Sequence, residues 1–196
     1  MMAARMSSPE CAGRRRLLQA GVAAGMGVLL SPSIVVGAQE DGASVRPKEG
    51  DLLVRTDDLQ HRPLRPADIP LNARQTAAWP MDSTDRTVRS GSRLNAVILL
   101  RLDESALEPE TRARAADGVV AYTAICTHNG CDVDDWIAAR LVLSCSCHGS
   151  EFDPKDAARV IDGPAPRGLP ALPLKTVDGL LVVAGPFTSR VGFEPG

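Results

Sequence analysis

The sequence predicts an all-β fold, a mostly antiparallel β domain with one short helix. Two observations support this prediction. The apolar runs are short and separated by turn-forming residues, a spacing typical of strands rather than of helices. Between two of these runs stands Asp178-Gly179, a strong signal for a two-residue hairpin turn, and such turns join antiparallel strands.

The expected elements follow one another along most of the chain. The run Asn95–Leu102 is apolar at almost every position and predicts a buried strand. Pro109 suits the first turn of a helix and Arg112 and Arg114 suit its later part, so a helix is expected over 108–116. The predicted strands cover residues 52–55, 75–79, 95–102, 119–125, 141–145, 172–177 and 180–184.

Residues 1–38 are typical of an export segment. Arg14-Arg15-Arg16-Leu17-Leu18 resembles a twin-arginine signal, and no charged residue follows it up to Ala38. Val36-Gly37-Ala38 matches the small-residue pattern of a cleavage site, so cleavage is expected after Ala38. A general secretory signal is the alternative, and the uncharged residues 17–38 are also long enough to stay as a membrane anchor. The polar residues 39–50 predict a linker.

The remaining 158 residues suit one domain with a single core. Residues 1–38 hold four Arg and one Glu of the 22 basic and 24 acidic residues, so the rest keeps 18 and 23 and a net charge of −5. This balance argues against nucleic-acid binding. An acidic chain could dock onto a basic protein partner. No nucleotide-binding loop and no nucleophile motif is evident.

Four of the five cysteines and two of the three histidines lie in one window, Cys126 to His148. The window contains two matching boxes, each with one Cys, one His and one spare Cys. Two thiolates and two imidazoles can hold a [2Fe–2S] cluster in which His replaces Cys on one iron. The boxes read Cys126-Thr127-His128-Asn129-Gly130-Cys131 and Cys145-Ser146-Cys147-His148-Gly149-Ser150.

The residue types alone leave two alternatives open. The same pairs could bind zinc tetrahedrally in a structural ribbon, although the two spare cysteines and the glycine contexts argue against it. Four cysteines could also form two plain disulfides, which would leave both histidines unexplained.

The pattern C-T-H-x-G-C followed by C-x-C-H-G-S resembles the Rieske iron–sulfur proteins of the subgroup with an internal disulfide. The resemblance implies one [2Fe–2S] cluster per chain, with two cysteines on one iron, two histidines on the other, and a disulfide over the cluster. It also implies the Rieske fold, a β base domain over 51–196 with a cluster-binding subdomain inserted at about 119–166. The implied ligands are Cys126, Cys145, His128 and His148, and the implied disulfide is Cys131–Cys147.

Further residues around the boxes are expected to tune the cluster. Gly130 and Gly149 would let backbone amides approach the cluster sulfurs, and Ser150 could donate its hydroxyl to one of them. Phe152 stands where quinol-oxidising relatives usually carry Tyr, so the corresponding hydrogen bond is missing and a lower potential is expected. The stiff run Gly163-Pro164-Ala165-Pro166 would cover the third side, the alternative being an ordinary surface turn.

The resemblance implies a one-electron carrier without an independent substrate site. The first expectation is the Rieske subunit of a cytochrome bc-type quinol oxidase, with a cytochrome b and quinol as donor and a c-type cytochrome as acceptor, located in the periplasm. Asn129 replaces the Leu usual at the quinol-docking tip, which favours two alternatives. These are the small subunit of a periplasmic molybdopterin oxidase, with a molybdenum subunit as donor, and a stand-alone carrier. A Rieske ring oxygenase would lack the disulfide and need a second iron domain.

Other conspicuous residues receive plainer interpretations. His61 stands alone and is expected to be solvent-exposed, and Trp79 and Trp136 are expected to pack rather than relay electrons. The aspartates at 132, 134 and 135 form an acidic patch after the first box, expected as a solvated loop with partner docking as the alternative.

Overall fold

The computed structural model describes residues 41–193. Within this range the chain forms ten strands, short 3-10 turns and one four-residue helix, α1 (Pro109–Arg112), which confirms the all-β prediction. The strands are β1 (Leu52–Arg55), β2 (Thr76–Met81), β3 (Val97–Arg101), β4 (Val119–Thr123), β5 (Asp135–Ile137), β6 (Val142–Cys145), β7 (Ser150–Asp153), β8 (Arg159–Asp162), β9 (Leu174–Val177) and β10 (Leu180–Val183).

The strands form two antiparallel sheets. The larger sheet has the order β4-β3-β2-β1-β10-β9, and the smaller sheet has the order β5-β6-β7-β8. The smaller sheet is inserted in the chain between β4 and β9, so a base sheet carries a separate small subdomain. Pairing of β1 with β10 brings the two ends of the base domain together, with Leu52 opposite Val182.

The inserted subdomain begins later than the predicted residue 119. Strand β4 pairs with β3 along its whole length, from Val97 opposite Thr123 to Arg101 opposite Val119, and therefore belongs to the base sheet. The small sheet spans 135–162. The Tyr122 hydroxyl donates to the Pro154 carbonyl at 2.8 Å and links the two parts through a buried hydrogen bond.

Strands β3 and β4 are buried on both faces, which explains why their sequences are almost continuously apolar. Alternate residues of β3, Val97 and Leu99, join the core of the base domain. The residues between them, Ile98 and Leu100, join a second core that also contains Phe152, Cys126 and Cys145. Strands β3 and β4 therefore contribute side chains to both hydrophobic cores, one on each face.

The sequence predicts seven strands, and the structure contains all of them, the first with the predicted ends and the other six with shifted ends. It did not predict β5, β7 or β8, because these strands are only three or four residues long and mix charged with apolar residues. The helix predicted over 108–116 is reduced to α1. It ends early because Arg114 N turns back to the Thr111 carbonyl, and Asp117 and Gly118 then adopt positive φ.

The described part of the predicted linker packs on the base domain instead of forming a free tether. The buried Asn95 side chain donates to the Val45 carbonyl at 2.8 Å, and Arg89 donates to the Gly42 carbonyl at 3.2 Å. These contacts join segments far apart in sequence. The local composition of the linker shows that it is polar but does not show that it packs on the domain. Arg89 itself forms a buried ion pair with Asp51.

The remaining interpretations concern exposed and aromatic residues. His61 is exposed, as expected, and Trp136 is half-buried against the core of the small subdomain, while Trp79 is half-buried on the base sheet. Among residues 41–193, no helix has the length and apolar character needed to cross a membrane. The predicted export or anchor segment, 1–38, lies outside the described residues.

Candidate metal centre

The two boxes fold into matched turns. In the first box Gly130 N donates to the Cys126 carbonyl at 3.1 Å, and in the second Gly149 N donates to the Cys145 carbonyl at 2.9 Å. Both glycines have positive φ, +74° and +72°. A Cβ at Gly149 would meet no protein atom within 4 Å. Glycine is therefore favoured here by its left-handed backbone conformation and not by lack of space.

The first cysteine of each turn is buried. Cys126 and Cys145 are each 1% exposed and remain free thiols. Burial raises the pKa of the Cys145 thiol to about 11, and the neighbouring Cys126 thiol adds to the shift. Two thiolates therefore need a cation between them to exist in this place. The pair is suited to a metal rather than to nucleophilic chemistry.

The two histidines lie side by side. Their ring centroids are 4.7 Å apart and the ring planes are perpendicular. His128 is half-buried, and its Nδ1 atom is buried without a hydrogen-bond partner in the described part of the chain. An unpaired buried nitrogen is costly unless a metal or another ligand occupies it. His148 is exposed, so its ring reaches the surface.

A disulfide between Cys131 and Cys147 joins the two boxes, which confirms the expected bridge. A ring nitrogen of His148 lies within 4.8 Å of both bridge sulfurs. Sulfurs in a disulfide are not thiolates and do not serve as strong metal ligands. The available donors are therefore the two free thiols and the two imidazoles, and this set fits a cluster with mixed Cys and His ligation.

The loop after β8, residues 163–167, contacts both boxes. The buried Ser150 hydroxyl accepts a hydrogen bond from Ala165 N at 3.1 Å, which leaves the hydroxyl proton available for donation. Thr127 of the first box donates to the Arg167 carbonyl at 2.6 Å. Gly163 approaches the second box most closely, since a Cβ there would lie 2.5 Å from Ser150 Cα. Pro164 is exposed on the outside of this loop.

Phe152 closes the inner side of the site. Its side chain is fully buried on β7, in the same core as Cys126 and Cys145. An aromatic ring in this position excludes water from the buried sulfurs and offers them no hydroxyl group.

The acidic patch has internal partners. Asp132 pairs with Arg93 at 2.7 Å, and Asp135 lies 4.0 Å from Arg74. The Asp134 carboxylate accepts two hydrogen bonds from Ser146 of the second box, from its backbone N at 3.0 Å and its hydroxyl at 2.7 Å. These bonds hold the pKa of Asp134 below its usual range. All three aspartates are exposed, as expected for a solvated loop, and Asp134 in addition bonds the second box.

Like the bond between Asp134 and Ser146, the position of segment 190–193 beside the site was not predicted from the sequence. Arg167 donates from its guanidinium to the carbonyls of Arg190 and Gly192, both at 2.7 Å. The segment thereby lies beside the first box, where a Cβ on Gly130 would be 3.9 Å from the Phe193 ring. Nothing in the local sequence of 190–193 signals this position.

Comparisons with known proteins agree with this site. Residues 92–173 match the family described as Rieske [2Fe-2S] domain. The chain is 34% identical over 148 residues to the cytochrome bc1 complex Rieske iron-sulfur subunit of Streptomyces lividans, covering 74% of this chain and 85% of that protein. It is 37% identical over 106 residues to a Haloferax mediterranei protein named as a respiratory nitrate reductase Rieske subunit, covering 53% and 47%.

The chain thus spans less than half of the Haloferax relative and most of the Streptomyces lividans one. Among solved structures, it is similar to the soluble domain of the Rieske protein II from Sulfolobus acidocaldarius, with a TM-score of 0.40, 24% identity, and coverage of 52% of this chain and 66% of that chain. With two thiols and two imidazoles presented by matched turns and joined by a disulfide, the chain belongs to the family of Rieske [2Fe–2S] iron–sulfur proteins.

Proposed function

We propose that this protein is the Rieske subunit of a cytochrome bc-type respiratory complex, working as a one-electron carrier on the periplasmic side. The observation that carries the proposal is the pairing of two buried thiols with two adjacent imidazoles, one of them exposed. Several relatives named as bc1 Rieske subunits, including the Streptomyces lividans protein, support the choice of complex.

In this proposal Cys126 and Cys145 hold one iron, and His128 and His148 hold the other. A [2Fe–2S] cluster with two His ligands supplies one-electron redox chemistry at roughly −150 to +300 mV. Residues of the chain itself control water access to the cluster site and the spacing of the two turns. The buried Phe152 keeps water from the inner side, and the Cys131–Cys147 disulfide keeps the two turns together.

The exposed ring of His148 is the natural exit for an electron. It lies against the ring of His128, which precedes the exposed Asn129 in the chain, so a partner can approach this edge without displacing the core. The donor in the proposed complex is quinol at a cytochrome b, and the acceptor is a c-type cytochrome. The role requires no substrate pocket of the chain's own.

Two residues favour a second candidate function. Asn129 makes the tip polar, which suits an apolar quinone pocket poorly, and Phe152 withholds a hydroxyl from the site. The second candidate is the small electron-transfer subunit of a periplasmic molybdopterin oxidase, and the relative named for a nitrate reductase supports a Rieske subunit outside the bc-type complexes. A stand-alone carrier for another periplasmic dehydrogenase is the third form of the same chemistry.

An EPR-monitored redox titration of the purified protein tests the proposal. A Rieske-type signal at high potential, with reduction by a short-chain quinol, is the expected result. The same signal at a clearly lower potential, with no reduction by quinol, would favour the molybdopterin-oxidase subunit. A folded protein that contains zinc and shows no iron signal would overturn both.

The proposed location follows from the export segment and the disulfide. Disulfides persist in oxidising compartments, and the twin-arginine route carries proteins that are already folded. Replacing Arg14 and Arg15 together with Lys should leave cluster-loaded protein in the cytoplasm, measured by cell fractionation and EPR. Export that continues unchanged would instead indicate a general secretory signal.

A further inference from the structure

One pocket beside the first box is lined by arginines, although the described domain is acidic overall. A pocket of about 340 Å³ lies between the C-terminal segment 190–193 and the tip residues Asn129 and Gly130. Three arginines line it, namely Arg46, Arg93 and Arg190, and no carboxylate does. We call this feature the tip pocket.

Two of these arginines have no acidic partner within residues 41–193. Arg46 donates only to neutral groups, the Leu94 carbonyl at 2.9 Å and the Asn95 side-chain oxygen at 3.2 Å. Partial burial lowers the pKa of Arg46, as expected for a cation without a compensating charge. Arg190 is exposed and makes no ion pair in the described part of the chain. Only Arg93 is balanced, by Asp132.

The same pocket exposes apolar surface. Leu94 is 37% exposed and Phe193 is 48% exposed, and both line the pocket. Arg167 fixes the backbone of the C-terminal segment, and Thr127 of the first box bonds the Arg167 carbonyl. The tip pocket is therefore attached to the cluster loops through these hydrogen bonds. Aromatic and arginine side chains together are typical of the energetic centre of protein interfaces.

We propose that the tip pocket docks an acidic side chain of the redox partner, with Arg46 and Arg190 as the charged contacts and Phe193 as the apolar one. This rests on the proposed function, because a carrier must bring its partner to the exposed histidine edge next to Asn129. The nearby carboxylates of Asp132 and Asp134 already accept hydrogen bonds from Arg93 and Ser146, and neither lines the pocket. Charge complementarity thus selects an acidic docking face.

Stopped-flow electron transfer from the pre-reduced protein tests this assignment. Two probes are used, an acidic bacterial c-type cytochrome and the basic mitochondrial cytochrome c, each over a range of ionic strength. The variants are Arg46→Glu with Arg190→Glu, Phe193→Ala, and the control Arg65→Glu. Arg65 is exposed on the base domain next to β1 and has the same change in charge per residue. EPR of every variant shows whether the cluster remains intact.

The wild-type protein should reduce the acidic cytochrome faster, and the rate should fall as salt is added. The double charge reversal should lower this rate about tenfold or more and remove its salt dependence, whereas Arg65→Glu should change it less than about twofold. A faster reaction with the basic cytochrome, or a double variant like wild type, would overturn the inference. Inhibition by inorganic phosphate at constant ionic strength would also overturn it, by identifying a small-anion site. Absence of the Rieske EPR signal in the wild type would instead overturn the proposed function.

Discussion

The Asp134 carboxylate accepts two hydrogen bonds from Ser146, one from its backbone N–H at 3.0 Å and one from its hydroxyl at 2.7 Å. Ser146 stands between Cys145 and Cys147, so this contact joins the exit of the first box to the turn of the second. The Cys131–Cys147 disulfide joins the same two boxes. Besides the contact of the two histidine rings, the cluster loops are thus connected covalently by the disulfide and by charge-assisted hydrogen bonds to Asp134.

Replacing Asp134 with Asn should raise the reduction potential by about 20–60 mV, since removing roughly 0.5–1.5 kcal/mol of repulsion favours the reduced state. Reduction adds negative charge beside this carboxylate. The matched control is Asp135→Asn, which loses the same charge but does not bond Ser146. An EPR-monitored titration in which both variants shifted equally would assign the effect to net charge and contradict a specific role for Asp134.

Phe152→Tyr should also raise the potential. The new hydroxyl would lie in the buried core that contains both free thiols, where a donor stabilises the more negative reduced state. The control is Phe187→Tyr, which alters a half-buried ring packed on the base-domain core. A titration showing no rise for Phe152→Tyr, with the cluster intact, would refute the proposed role of this position.

Three glycine substitutions separate backbone strain from close contact. Gly163→Ala should be the most damaging, because its φ is +85° and its Cβ would lie 2.5 Å from Ser150 Cα. Gly149→Ala should cost about 1–2 kcal/mol from its positive φ alone, since no atom lies within 4 Å of the added Cβ. Gly185→Ala, with open space and no positive φ, should be close to neutral.

Urea unfolding of the three glycine variants, followed by circular dichroism, gives the free energies of unfolding, and iron content reports cluster retention. The expected order of damage is Gly163→Ala, then Gly149→Ala, then Gly185→Ala. Equal losses for Gly163→Ala and Gly149→Ala would mean that the loop after β8 can move away from the second box.

Tyr122→Phe should lower the free energy of unfolding by about 1 kcal/mol. The variant keeps the buried ring and removes the hydrogen bond from its hydroxyl to the Pro154 carbonyl, which links the base sheet to the small subdomain. Urea denaturation provides the measurement. Unchanged stability would show that the carbonyl finds another donor.

Stability should fall in acid, partly through Asp82. Its hydrogen bond from Lys48 is the main cause of a lowered pKa, and Arg89 contributes as well. A carboxyl whose pKa is lower in the folded than in the unfolded state stabilises the fold above about pH 4 and loses this contribution as pH falls. Asp82→Asn should therefore flatten the decline in urea midpoint below about pH 5. An unchanged pH profile in the variant would exclude this carboxyl as a cause.

The sequence by itself determined the donor chemistry and most of the strands. The spacing of Cys and His within each box lies inside one turn, so local geometry suffices to bring Cys126 and His128, or Cys145 and His148, to one place. Buried strands such as β3 are legible for a similar reason, because burial on both faces leaves a continuous apolar run. The resemblance then supplied the disulfide pairing, which residue types alone left open.

Only the tertiary structure decided what surrounds the cluster loops. Asp134 reaches Ser146 across 12 residues, Arg167 reaches Gly192 across 25, and Arg46 reaches Leu94 across 48. Such contacts depend on how the small sheet sits against β3 and β4, and no local pattern encodes that register. For the same reason net charge alone suggested docking onto a basic partner, whereas the fold places Arg46, Arg93 and Arg190 around one pocket beside the first box.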